Sequence, residues 1–147
     1  MICMSLKGYN IQEICTVING ELIKSSGKED LIQDILIDSR RLISAEHCLF
    51  FAIPGKRHDG HNYIEELYQK GIRNFVVSSL PVKLNDYSDA NFIFVKNTLK
   101  ALQLLAGFHR KKFHGPVIGI TGSNGKTIIK EWLFQLMNKK KKIIRSP

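Results

Sequence analysis

The run Gly119-Ile120-Thr121-Gly122-Ser123-Asn124-Gly125-Lys126-Thr127 has the residue types of a loop that wraps phosphate. Glycines at 122 and 125 allow backbone angles closed to other residues and bring N–H groups close to phosphate oxygens. Lys126 can meet terminal phosphates as a point charge, and the Thr127 hydroxyl can sit on Mg²⁺. A helix starting at Lys126 would add the positive end of its dipole. The usual template, G-x-x-x-x-G-K-[ST], is not met in full, because its first glycine falls at Ile120. The competing reading is a glycine-rich strand–helix connection with an incidental Gly-Lys-Thr.

A second set of polar residues lies further forward: Asp38, Ser39, Arg40 and Arg41, then Lys56, Arg57, His58, Asp59 and His61. A diphosphate is held by cations together with hydroxyl or amide donors. Arg40, Lys56, Arg57 and Ser39 supply both, from loops at strand ends where α/β folds bind ligands. Arg40 and Arg41 read equally well as a surface ion pair, and Lys56 and Arg57 as a solvated turn. Asp38 and Asp59 suit loop organisation through backbone hydrogen bonds. His58, Asp59 and His61 offer three metal-ligand types, but no fourth has helpful spacing and the segment reads as a turn. No Ser/His/Asp or Cys/His set stands out for covalent catalysis.

These residues need elements to hold them. Ile11, Ile14 and Ile18 step by three and four, predicting a short helix over 10–18 capped by Asn10. Strands are expected at Glu21–Lys24, Leu31–Asp38, Cys48–Ile53, Ile72–Ser78 and Phe92–Val95. A helix with Ile64, Leu67 and Tyr68 on its inner stripe is expected to start at Asn62 and stop at Gly71. Leu99, Leu102, Ala106, His109 and Phe113 mark a helix over 98–112, and Gly115-Pro116 breaks it. His109 then reads as a helix-face residue and His114 as a loop residue. Val117–Ile120 reads as a buried strand before the glycine loop. Ile128, Ile129, Trp132, Leu133, Leu136 and Met137 then form one face of a helix over 126–138, and Lys142–Arg145 opens a further strand. Alternating strands and helices imply an α/β fold with mainly parallel sheet. The rhythm restarts near residue 96, so the expected domains are 1–96 and 97–147. The second has too few strands to close a sheet with both faces covered, which predicts that the natural protein is longer.

Composition narrows the classes. The chain has 147 residues, 44% hydrophobic and 24% charged, an ordinary globular balance that excludes wholesale disorder and fibrous repeats. Its longest apolar run, Cys48 to Ile53, is far below the roughly 20 residues of a membrane-spanning helix. Met1–Gly8 lacks the pattern of a signal peptide. Three cysteines at no metal-like spacing suit a reducing cytoplasm. A net charge of +9 points to an anionic partner, although Lys139–Lys142 supplies much of it beside the C-terminus and reads as a solvated helix end. Nucleic acid is one such partner. However, the aromatics sit in apolar strands rather than interleaved with basic residues, which leaves no evident base-stacking surface.

Thr121–Thr127 resembles the phosphate loop of the Mur ligase family, T-G-[ST]-N-G-K-T, at every place. Many members carry a second Thr or Ser next, where this chain has Ile128. Ile37-Asp38-Ser39-Arg40 resembles the family's D-S-R element. Leu49-Phe50-Phe51-Ala52-Ile53, Gly55 and Asp59-Gly60-His61 resemble its L-F-x-A-x-x-G-x-x-x-D-G-H stretch in order and spacing. The resemblance implies a small N-terminal domain that binds a UDP-sugar, followed by the truncated start of an ATPase domain. It implies ATP contacts from Gly122, Ser123, Asn124, Gly125, Lys126, Thr127 and the backbone of Ile128, with Lys126 and Thr127 catalytic and Thr127 holding Mg²⁺ through ATP. It implies UDP contacts from Ile37, Ser39, Arg40, Lys56, Arg57 and His58.

The implied reaction is ATP-dependent amide-bond formation through an acyl phosphate, in peptidoglycan precursor synthesis in the cytoplasm. The N-terminal motifs are most similar to members that join D-alanyl-D-alanine to UDP-N-acetylmuramoyl-tripeptide, with the tripeptide-forming members as the alternative. This chain alone is expected to be inactive. Outside the family, the readings are a basic phosphate-loop fragment that binds nucleic acid and a non-catalytic nucleotide-binding module.

Overall fold

Asn10 opens the first helix as its side chain suggests. The computed structural model describes residues 8–27, 31–55, 58–140 and 143–146. Strand β1 (Tyr9–Asn10) leads directly into helix α1 (Ile11–Ile18). The Asn10 side-chain oxygen accepts from the Glu13 N–H at 2.7 Å, satisfying one of the unpaired donors at the helix start. Asn19, with φ of 52°, turns the chain out of the helix and into β2 (Glu21–Lys24).

The single strand expected over 31–38 is two. Strand β3 (Leu31–Ile32) pairs with β1, while β4 (Asp34–Leu36) joins the main sheet. Between them the N–H groups of Gln33 and Asp34 both donate to the His47 carbonyl, at 2.9 and 3.2 Å, which takes the chain out of one ladder and into the other. Strand β5 (Cys48–Phe51) follows. Asp59 then caps a 3-10 turn, Gly60–Tyr63, which runs into α2 (Ile64–Gln69), so the start expected at Asn62 lies inside an element already begun at Asp59. Gly71, with φ of 99°, ends α2 in a conformation that favours glycine. Strand β6 (Asn74–Val77), strand β7 (Asn91–Phe94) and helix α3 (Thr98–Lys111) complete this unit.

The five-stranded sheet has the order β2-β7-β6-β5-β4. Strands β4 to β7 are parallel neighbours in chain order, and β2 lies antiparallel on β7 at the edge. Parallel strands buried on both faces should read as unbroken apolar runs, and Cys48-Leu49-Phe50-Phe51 does. Leu49 and Phe51 face a core with Ile14 and Ile18 of α1 and Ala101 and Leu105 of α3. Cys48 and Phe50 face a second core with Ile64 and Leu67 of α2 and Tyr87. The sheet is therefore a middle layer between α1 and α3 on one side and α2 on the other.

Helix α3 belongs to this first unit, which continues to Phe113, so the division falls after Phe113 rather than at 96. The reason is burial: Ala101 and Leu105 complete the core that α1 begins. The face that packs is also turned from the expected stripe. Thr98, Ala101 and Leu105 are buried, whereas Leu99, Ala106 and Phe113 are exposed. His109 is on the packed side, where its Nδ1 lies 2.9 Å from the Tyr9 hydroxyl.

The second unit runs from His114 to Ser146 among the described residues and holds helix α4 (Lys126–Met137). Val117–Ile120 forms no strand, and neither does 143–145; Lys142 lies outside the described residues. A strand is defined by its ladder, and nothing described in this unit offers either segment a partner. The apolar face read from the sequence is correspondingly open, with Ile128, Trp132 and Leu136 all exposed. Arg145 lies beside α4, paired with Glu131 and 4.1 Å from the Phe134 ring centre. Among the described residues no helix is long and apolar enough to cross a membrane.

Candidate functional site

A cavity of about 450 Å³ opens where the chain leaves β4 and β5. Its lining comes from three short stretches: Ile37, Asp38, Ser39 and Arg40 after β4; Phe50 and Ile53 at the end of β5; His58, Gly60 and Tyr63 from the following loop and turn. The carboxyl ends of parallel strands are where α/β sheets leave room for ligands, because the connecting loops splay apart there. The lining mixes the Asp38 carboxylate, the Arg40 cation, the Ser39 and Tyr63 hydroxyls and the His58 imidazole with aromatic and aliphatic walls. That chemistry suits a ligand with an anionic part and a flat or apolar part.

Arg40 is oriented by its neighbour. The Asp38 carboxylate accepts from Arg40 Nε at 2.9 Å, from its terminal NH₂ group at 2.8 Å and from its backbone N–H at 3.1 Å. Asp38 thereby caps the 3-10 turn Ser39–Arg41. These hydrogen bonds hold the Asp38 carboxyl down at about 2. Arg40 is in an ion pair and also lines the cavity.

Gly60, another lining residue, sits in the turn Asp59-Gly60-His61. Asp59 Oδ1 accepts from the His61 backbone N–H at 2.9 Å and lies 2.6 Å from His61 Nδ1. The backbone N–H of Ser78 donates to His61 Nε2 at 3.0 Å. Since Nε2 accepts, the ring proton is on Nδ1, which donates to Asp59. Those bonds, the backbone one first, lower the Asp59 pKa. Gly60 meets a different demand. A Cβ there would come within 2.6 Å of the Ile53 nitrogen and 2.9 Å of Ala52 backbone carbons, so only glycine lets the turn lie on the strand end. Both nitrogens of His61 are thus committed, and among the described residues no group of three His, Cys, Asp or Glu side chains is arranged to hold a metal.

Of the six residues matched to the UDP site, Ile37, Ser39, Arg40 and His58 line this one cavity. Lys56 and Arg57 lie outside the described residues, as does Cys3. Phe50, Ile53, Gly60 and Tyr63 were not among the six. Phe50 and Ile53 read as strand core, and Tyr63 carries no motif. Their proximity to Ser39 and Arg40 follows only once β4 and β5 pair as Leu36 with Phe50.

The glycine loop of the second unit has the backbone its residue types imply. Gly122 and Gly125 have φ of 145° and 78°. A Cβ at Gly119 or Gly125 would meet nothing within 4 Å, so the loop is open rather than packed. Helix α4 starts at Lys126, and its first intrahelical bond runs from the Ile129 N–H to the Gly125 carbonyl at 3.0 Å. The N–H groups of Lys126, Thr127 and Ile128 precede that bond and have no acceptor within the helix. Lys126 Nζ folds back over the loop to the carbonyls of Gly122 and Ser123. A cation and free N–H donors at one helix start fit a polyphosphate. Thr127 is exposed beside them.

The chain is similar to the UDP-N-acetylmuramoyl-tripeptide–D-alanyl-D-alanine ligase of Buchnera aphidicola, with 35% identity over 139 residues, covering 95% of this chain and 27% of that protein. Among solved structures it is similar to the UDP-N-acetylmuramoylalanyl-D-glutamyl-2,6-diaminopimelate–D-alanyl-D-alanyl ligase of Acinetobacter baumannii, with a TM-score of 0.77 and 27% identity, covering 92% of this chain and 29% of that one. The MurF ligase of Thermotoga maritima, solved in complex with ADP, superposes with a TM-score of 0.61 and 31% identity over 77% of this chain and 25% of its own. The chain thus spans between a quarter and a third of the length of these relatives. The family profile described as "Mur ligase family, catalytic domain" matches residues 31–110, the stretch that holds β3 to β7, the Asp38–Arg40 pair and the Asp59-Gly60-His61 turn. Because that match takes in more than half the chain and every wall of the cavity, the chain belongs to the Mur ligase family.

Proposed function

We propose that this chain is the nucleotide-handling end of a cytoplasmic, ATP-dependent ligase that joins D-alanyl-D-alanine to UDP-N-acetylmuramoyl-tripeptide. The observation that carries the reading is the cavity itself: four residues matched independently from two separate motifs line one opening at the carboxyl ends of β4 and β5. In this reading the cavity takes the uridine diphosphate end of the substrate. Ser39 and His58 orient it, Arg40 contributes charge, and Lys56 and Arg57, next to His58 in the sequence, add cations. The unit that continues to Phe113, with α3 as part of its scaffold, supplies the UDP end of this function, and the stretch from His114 onward supplies the start of the ATP-binding part.

The loop Thr121–Thr127 is assigned to ATP, a substrate of the reaction. Gly122, Ser123, Asn124 and Gly125 offer backbone donors, Lys126 a cation, and Thr127 and Ile128 the first N–H groups of α4. The Thr127 hydroxyl would hold Mg²⁺, which supplies charge neutralisation at the phosphates. To reach a bound phosphate, Lys126 Nζ leaves the Gly122 and Ser123 carbonyls, an exchange of neutral for charge-assisted partners.

The test mixes the protein that carries this chain with ATP, Mg²⁺ and UDP-N-acetylmuramoyl-tripeptide, offers D-alanyl-D-alanine, and follows phosphate release and product mass. The expected product is the pentapeptide. A protein that instead takes UDP-N-acetylmuramoyl-dipeptide and a single amino acid is the tripeptide-forming relative. Salt-dependent binding to random DNA without UDP-sugar binding would overturn both.

A further inference from the structure

We propose that His61 is a positioning residue for the cavity, acting as a pin between the His58–Tyr63 loop and the end of β6; this rests on reading the cavity as the nucleotide site. Three lining residues bracket it closely: His58, Gly60 and Tyr63. Their stretch is tied to β5 by backbone alone, through the Gly60 N–H to the Ile53 carbonyl at 3.0 Å and the short bridge of Pro54 with Asp59. Among the described residues, the hydrogen bonds that tie it to the end of β6 are made by the His61 ring. The His61 ring, with only 13% of its side-chain surface exposed, receives the Ser78 N–H at 3.0 Å and the Ser79 N–H at 3.3 Å on Nε2. On its other edge Nδ1–H is held by Asp59, which fixes both ring orientation and tautomer.

The two nitrogens do separate jobs, and the Nε2 acceptor is the one that makes the pin. Asp59 aims the ring, and Nε2 fastens the loop to Ser78 and Ser79, directly after a strand that is paired on both sides, with β5 and β7. Without the pin the loop keeps its hold on β5 but loses its lateral anchor. His58 and Tyr63 then sample positions away from Ser39 and Arg40 across the opening. A cavity wall that is ordered only on binding weakens the ligand by the cost of ordering it.

Two substitutions separate the jobs. His61→Gln places a carbonyl oxygen near the Nε2 position and keeps an acceptor for Ser78. His61→Asn keeps an N–H near Nδ1 for Asp59 but is too short to reach Ser78. The probe is UDP, titrated calorimetrically into the 147-residue chain, with amide exchange at Ser78 followed on the same samples. The expected result is roughly tenfold weaker UDP binding and fast Ser78 exchange in H61N, with both largely retained in H61Q. Wild-type affinity in H61N overturns the proposal, as does equal loss in both variants, which would make His61 a packing residue. Failure of the unmodified chain to bind UDP overturns the nucleotide reading and is a different result. Ser78 protection then still decides whether the pin exists: lost in H61N and kept in H61Q supports it, and kept in both refutes it.

Discussion

The Asp38 carboxylate and the Arg40 guanidinium meet through two side-chain hydrogen bonds, at 2.9 and 2.8 Å, two residues apart at the lip of the cavity. The acid holds the base in place while the base remains open to solvent. Because Asp38 titrates at about 2, below the usual carboxylate range, its contribution to the folded state is complete above that range and is lost as pH falls through about 2. The Asp38 carboxyl carbon resonance should therefore titrate with a midpoint near 2. In Arg40→Met the midpoint should rise toward the ordinary value.

Gly60→Ala should be poorly tolerated. The added methyl meets backbone atoms of Ala52 and Ile53, which cannot rotate away as a side chain could. Overpacking of this kind costs about 1–3 kcal/mol, so the thermal midpoint should drop by several degrees. UDP affinity should fall with it, since the turn would lift from the cavity wall. A melt and a titration on the same sample check both.

Asn91 and Asn74 are buried side by side, with the Asn91 amide nitrogen donating to the Asn74 oxygen at 2.6 Å. The Asn91 oxygen also accepts from the Ser26 N–H at 2.7 Å. Asn91→Ala should cost about 1–3 kcal/mol, because it removes the donor to the buried Asn74 amide oxygen and the acceptor of the Ser26 N–H. Urea denaturation should show a lower midpoint with an unchanged slope.

Much of this arrangement could be read from residue types, and the failures have a common cause. Asn10 as a cap, Gly71 as a stop and the buried run Cys48–Phe51 are local features, and each formed where its chemistry suggested. The inner face of α3 did not, because Leu99, Leu102, Leu104 and Leu105 place apolar residues nearly all round the helix. Which of them packs is decided by where α1 lies, and the small Ala101 allows the close approach. Val117–Ile120 reads as a strand from its residues, but a strand also needs a neighbour. Within the cavity the charged and hydroxyl residues were legible from motifs. Tyr63 and the His61–Ser78 bond were not, since both depend on which loops the sheet brings together.

In the protein that carries this chain, Lys126→Ala should lower the rate of ATP-dependent ligation by two to three orders of magnitude. That is the usual loss when an electrostatic stabiliser of the transition state is removed. Its effect on UDP binding should be small. Phosphate release measured beside UDP titration separates the two, and near-normal turnover would remove the phosphate loop from the mechanism.

The order of the sheet also bears on how the chain reaches its fold. Strands β4, β5, β6 and β7 are laid down side by side in the order in which they are made, so each new strand docks on the one before it. Strand β2 is the exception. It must wait for β7, and the pairing of Leu22 with Ile93 closes a loop of some seventy residues. Closing a long loop is costly before its contacts form, so β2 with α1 should be the last part to gain protection during refolding, and its docking the step that sets the rate.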